Sequence, residues 1–124
     1  MPTYNAPVED VLFLLNDVFH IERHNNLPGF ADASPDVVEA ILVEAGKFAT
    51  DVIAPLNAPG DRHGAFLKDG HVIMPPGWAE AYKAWAAAGW NGLASPADWG
   101  GQGLPRALNA ACIEMWNSAS MAFG

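Results

Sequence analysis

Gly100-Gly101-Gln102-Gly103 stands just before an apolar helical pattern, and of all stretches in this chain it most suggests chemistry. Backbone N–H groups at a helix start attract anions, so a glycine-rich approach could cradle a phosphate. The surroundings argue otherwise. No strand pattern precedes the loop, no Lys-Ser or Lys-Thr follows it, and dinucleotide-type Gly-x-Gly-x-x-Gly spacing is absent. A tight interhelical turn that needs positive φ, shaped by Gly100, Gly101 and Gly103, accounts for the same residues. The loop belongs to a longer glycine-dense run, Gly89 to Pro105, that also carries Trp90 and Trp99. A solvated linker would be small and polar, so this run is expected to be packed and shaped.

His20 and His24 are spaced to put two imidazoles on one helical face, as zinc helices do. The Glu that accompanies the first His in such helices is missing, and no third ligand follows at a suitable spacing. No metal site is therefore assigned. His63 and His71 flank a predicted hairpin and read as solvent-facing. Cys112 sits among Ala, Leu and Met on an apolar stripe, the setting of a core residue and not of a nucleophile. Glu114 lies off that stripe and reads as part of a solvated face. No nucleophile–base pair, paired carboxylates or Gly-x-Ser-x-Gly elbow can be assembled, so no catalytic residue is assigned.

The elements that would position these groups are helical. Tyr4 to Pro7 reads as an extended lead-in. From Val8 to about Ile21, apolar residues Val8, Val11, Leu12, Leu15, Val18 and Phe19 share one stripe. Phe13 and Leu14 fall off it, which predicts cover on two sides. Ser34-Pro35 opens a second helix, with Ser34 as N-cap and a stripe from Val38 to Val52. Pro55 should end or kink it, and 57–63 reads as loop. Ala65 to Met74 predicts a β-hairpin around Asp69-Gly70, pairing Leu67 with Val72 and Phe66 with Ile73. Both its faces are apolar, so it should lean on other elements. Pro76 to Ala88 forms a third helix, and a fourth starts at Pro105 with Leu108, Ala111, Cys112, Met115, Trp116 and Ala119 on one face. That pattern runs almost to Gly124 without a stop signal, which predicts further sequence beyond it. The expected fold is mainly α, with orthogonal or bundled helices and one small β-hairpin.

A chain of 124 residues suits one domain, and a composition that is 51% hydrophobic with five Trp predicts apolar area facing a second domain or partner. The net charge is −8 and no basic cluster occurs, which excludes ordinary nucleic-acid and anionic-membrane binders. The single cysteine permits no internal disulfide and points to a reducing compartment. Neither a secretion signal nor a membrane-length apolar run is present, so a cytoplasmic location is expected.

Several short runs, in order, resemble the N-terminal helical domain of the acyl-CoA dehydrogenase family. The resemblance extends to a bacterial subgroup with an extra leading segment, which includes methylthio-propionyl-CoA dehydrogenase-like enzymes. The runs are Tyr4-Asn5-Ala6-Pro7, Asp10, Phe13-Leu14-Leu15, Ala54-Pro55-Leu56-Asn57, Gly60-Asp61, Gly64, Asp69-Gly70 and Pro75-Pro76-Gly77. They continue with Ala81-Tyr82, Gly89-Trp90, Gly100-Gly101-Gln102-Gly103-Leu104-Pro105, Glu114 and Met121-Ala122-Phe123. The resemblance divides the chain into a leading segment and first helix (1–33) and the helical domain (34–124), incomplete at its C-terminus.

The resemblance implies more than the chain contains. Family members add a middle β-domain and a C-terminal helical bundle, bind FAD and an acyl-CoA thioester, and assemble as homo-oligomers. A carboxylate base takes the α-proton while the β-hydride passes to the flavin. That base comes mostly from the C-terminal bundle, and Glu114 does not match it. Ser120, Met121, Phe123 and Gly124 are the positions expected to border the acyl chain, and Gly100, Gly101 and Gly103 to shape the turn. The chain alone should bind no flavin and catalyse nothing. The rival expectation is a free-standing helical module that associates with itself and has no enzymatic activity.

Overall fold

The computed structural model describes residues 3–124; Met1 and Pro2, with which the leading segment begins, lie outside the described residues. Extended residues lead into α1 (Val8–Phe13), which continues as one π-helical turn, Leu14–Val18. The lead-in is latched onto α2 (Pro35–Phe48) and the turn beyond it. Ala6 N–H donates to Thr50 Oγ1 across 3.4 Å, and Val8 lies so close to Gly46 that a Cβ there would stand 2.7 Å from Val8 Cγ2.

The π turn reorders the first helix. Phe19 N–H donates to Leu14 O at 2.8 Å, an i→i+5 bond that takes in one extra residue and rotates the succeeding residues out of register. The sequence stripe puts Val18 and Phe19 on the core side; instead both are exposed, Phe19 at 61%. His20, at φ +50°, then breaks the helix, and Ile21 takes the next core position at the start of a 3₁₀ turn, Ile21–His24. Nor is the face of Phe13 and Leu14 covered, contrary to the expectation from their off-stripe position.

Ser34 Oγ accepts the Val37 N–H at 3.4 Å and caps α2, whose Val38, Leu42 and Ala45 are fully buried. Pro55 does not end the helical run. A second π turn, Ala49–Ile53, comes first, and α3 (Ala54–His63) starts there with Pro55 in its first turn, where no N–H is needed. Asn57 to His63 is therefore helix and not loop. It stops at Gly64, whose N–H donates to Gly60 O at 2.8 Å.

β1 (Phe66–Lys68) and β2 (His71–Ile73) pair antiparallel with Phe66 opposite Ile73 and Leu67 opposite Val72, joined by Asp69 at φ +50° and Gly70 at φ +78°. The register follows the sequence pattern, but the hairpin buries none of its strand residues: all six are exposed. α4 (Trp78–Ala87) and α5 (Arg106–Ala119) complete the fold. α5 packs against α2 and the second π turn, and Leu42, Ile53, Leu93, Leu108 and Met115 form the driest part of the core.

Between α4 and α5 the glycine-rich run folds back on itself. Its Trp residues part company. Trp90 meets buried Trp116 edge-on with ring centroids 5.5 Å apart, whereas Trp99 is 87% exposed and contradicts the expectation of a fully packed loop. The turn that holds Trp99 is closed by Trp99 N–H to Pro96 O (3.1 Å) and Gly100 N–H to Ala97 O (2.9 Å), which leaves the indole outside. Gly101 passes so near Ser95 that a Cβ would sit 2.1 Å from the Ser95 carbonyl oxygen. Gly101→Ala is expected to destabilise the fold by about 3 kcal/mol in urea unfolding, because backbone on both sides must move. Gly100→Ala, with φ +81° and open space around it, should cost only about 1–2 kcal/mol.

Candidate functional site

α5 ends at Ala119, and Ser120 turns the backbone out of the helix at φ −159°, ψ 106°. Ser120 N–H still donates to Trp116 O at 2.9 Å, and Ser120 O accepts from Phe123 (3.0 Å) and Gly124 (3.1 Å). The resulting turn carries Phe123 onto Trp78, with ring centroids 5.9 Å apart and planes tilted by 54°. Beside this pair lies a groove of about 320 Å³ lined by Met74, Trp78, Ala79, Tyr82, Ala122 and Phe123. Its lining is more apolar than polar, so it suits an apolar ligand better than a charged one.

The four residues singled out from the sequence do not share one surface. Phe123 lines the groove. Ser120 is 2% exposed, with an Oγ that has no hydrogen-bond partner among the described residues. Met121 stands outside the groove at 80% exposure, and Gly124 is pressed against Asn117, 2.8 Å from its N atom for a notional Cβ. Trp78, Tyr82, Met74 and Ala79 are the groove residues that sequence reasoning does not find. Trp78 and Tyr82 are legible as one i, i+4 face of α4, but by its pattern that face reads as core. Nothing in the spacing shows that Phe123 returns to it.

The glycine loop does not supply a free anion cradle. Gly101 N–H donates to Pro96 O (3.1 Å), Gln102 to Gly92 O (2.9 Å), Gly103 to Ser95 O (2.9 Å) and Leu104 to Leu93 O (3.0 Å). Those donors are spent on the loop's own shape. Gly100 and Gly103 adopt positive φ, +81° and +65°.

The ionisable groups are dispersed. His20 and His24 are separated by the helix break at His20, and among the described residues no three His, Cys, Asp or Glu side chains gather as a metal site. The one side chain–side chain hydrogen bond among the described residues is Lys47 Nζ to Glu44 Oε1, 2.6 Å and exposed. No acid–base couple is formed by it. Cys112 is fully buried on α5, and burial pushes its thiol up to about 12. Tyr4 borders a second cleft of about 610 Å³ between the lead-in, α3 and the end of α5. Burial of its hydroxyl, and secondarily the Glu114 charge, raise the Tyr4 pKa, and its oxygen has no partner among the described residues. Among the described residues no helix is long and apolar enough to cross a membrane.

No model of a protein family matches the chain. Two curated proteins do. The chain is 39% identical over 122 residues to 3-methylmercaptopropionyl-CoA dehydrogenase of Ruegeria pomeroyi, covering 98% of this chain and 21% of that protein. It is 26% identical over 110 residues to the broad-specificity linear acyl-CoA dehydrogenase FadE5 of Mycobacterium tuberculosis, covering 87% and 18% respectively. The chain thus spans about a fifth of the length of the curated relatives it matches.

The buried thiol gives the fold a defined alkaline weakness. Because folding raises the Cys112 pKa from the ordinary 9.0 to about 12, its contribution is complete below pH 9 and is lost as pH climbs toward 12. Under reducing conditions, the stability gap between the unaltered chain and Cys112→Ala should narrow by up to about 1.4 kcal/mol per pH unit above pH 9. Urea midpoints at pH 8, 9 and 10 measure it, and a gap independent of pH would contradict the burial argument.

Proposed function

We propose, from a similarity to acyl-CoA dehydrogenases that runs through almost the entire chain, that these residues are the N-terminal helical domain of an FAD-dependent acyl-CoA dehydrogenase. In this reading 1–33 is the leading segment and 34–124 the domain proper, and the reaction is α,β-dehydrogenation of an acyl-CoA thioester. The observation that carries it to a site is the apolar groove between α4 and the turn after α5, where Phe123 meets Trp78. The relatives' own names specify acyl-CoA substrates, whose tails are largely hydrocarbon.

The flavin, as hydride acceptor, would be held by polypeptide outside these residues. The glycine turn does not fit a pyrophosphate, since its N–H groups at 101–104 are already bonded to its own carbonyls. This chain contributes shape and dryness. Met74, Trp78, Tyr82 and Phe123 form one wall against which an acyl tail can lie, each methylene removed from water contributing about 0.8 kcal/mol. Phe123 is set by Ser120, whose carbonyl holds the turn, while Ser120 itself is buried and Met121 stands in the open. Gly124 closes the turn over Asn117.

Ala79 is an exposed groove residue on α4, so enlarging it fills the groove without entering the core. In the full-length enzyme, Ala79→Phe should lower kcat/KM for long-chain acyl-CoA relative to short-chain acyl-CoA by roughly tenfold, the scale on which an apolar pocket discriminates. Steady-state kinetics over a chain-length series measures this. An unchanged profile, with flavin content and helicity preserved, would remove the groove from the acyl site.

A further inference from the structure

The outward face of the first helix is used neither by the core nor by the groove. Asp10, Phe13, Leu14, Asp17 and Val18 are all exposed along the helix and its π turn, Phe13 at 58%. Leu15 is buried behind them, with Val11 and Leu12 packed against the core. From Val8 to Phe19 the chain carries Glu9, Asp10 and Asp17 but no Lys or Arg. Apolar side chains on this face would gain by leaving water, at about 25 cal/mol per Å² buried. Covering them with hydrocarbon alone would strand the interleaved carboxylates, which is costly. The complement is a surface that brings apolar area and positive charge together. A second copy of this chain brings the wrong sign, because it presents the same acids and a net charge of −8.

We infer that this face docks an amphipathic helix bearing Lys or Arg, supplied by the part of the full-length polypeptide that lies outside these residues. The inference rests on the reading of the chain as one domain of a larger enzyme. Its relatives hold about five times as much polypeptide, and four-fifths of that length is free to provide the helix. Charge complementarity across such a contact sets register and excludes wrong partners more than it adds affinity. The ridge of Phe13, Leu14 and Val18 supplies the buried area, and Asp10 and Asp17 select the partner's basic residues.

The test is photo-crosslinking in the full-length protein with p-benzoylphenylalanine at position 13 and, independently, at position 18. A mixture of light- and heavy-isotope protein distinguishes links within one molecule from links between copies. The expected product is an intramolecular adduct, at both positions, to a helical peptide containing Lys or Arg. Asp10→Lys combined with Asp17→Lys should cut its yield about tenfold, the equivalent of 1.4 kcal/mol. An adduct to a peptide without basic residues, to a second copy or to another protein, no adduct at either position, or a yield indifferent to the charge reversal would overturn the inference. An intact mass that ends at Gly124 would instead overturn the larger-enzyme reading, and this inference with it.

Discussion

Trp116 is the residue on which the arrangement turns. It sits on α5 at 2% exposure, and the rings of Trp85 from α4 and Trp90 from the glycine-rich corner meet it edge-on, each with centroids 5.5 Å away. Edge-to-face aromatic pairs contribute about 0.5–1.5 kcal/mol each beyond the area they bury. The larger effect is geometric. One rigid contact holds α4 and the other the corner against α5 where the chain reverses, and the reversal is locked by the bonds between 92–96 and 101–104. α5 can then deliver its C-terminal turn back to the outer end of α4, where Phe123 finds Trp78.

The same packing explains why so much apolar surface stays open. The core is spent on α2, the second π turn and α5, whose facing positions are close to fully buried. α4 gives Trp78 and Ala81 to the interior and leaves Tyr82 outside; the hairpin gives nothing. An isolated two-stranded hairpin with apolar residues on both faces is marginal in water, and a groove with one wall cannot exclude solvent. Both features are physically economical if the remainder of an enzyme covers them. The glycine turn, in contrast, is complete in itself: its donors are satisfied internally, so it acts as a hinge-free corner and not as a ligand cradle.

Much of this is legible in residue order. The Ser34 cap, the stripes of α2 and α5 and the Asp69-Gly70 hairpin register follow local rules that tertiary contacts do not disturb. The departures share a cause. At Leu14–Val18 and Ala49–Ile53 one extra residue enters a helical turn, which a constant 3.6-residue period cannot represent. The first π turn moves Val18 and Phe19 to the surface. The second places Pro55 where proline is harmless, so that the helix resumes through residues that read as loop. The groove is invisible for another reason: it joins Phe123 to α4 across more than forty residues of sequence, and neither side announces the other.

The central claim is that α4 and the turn after α5 form one wall of an acyl site completed by polypeptide elsewhere. Hydrogen exchange on the full-length enzyme, with and without a saturating acyl-CoA that it does not turn over, addresses that wall directly. The account predicts slower exchange at 78–82 and 121–124 when ligand is present, with the α2 and α5 core amides unchanged. Exchange at those two segments that is indifferent to ligand, in an enzyme shown to have bound it, would contradict the account.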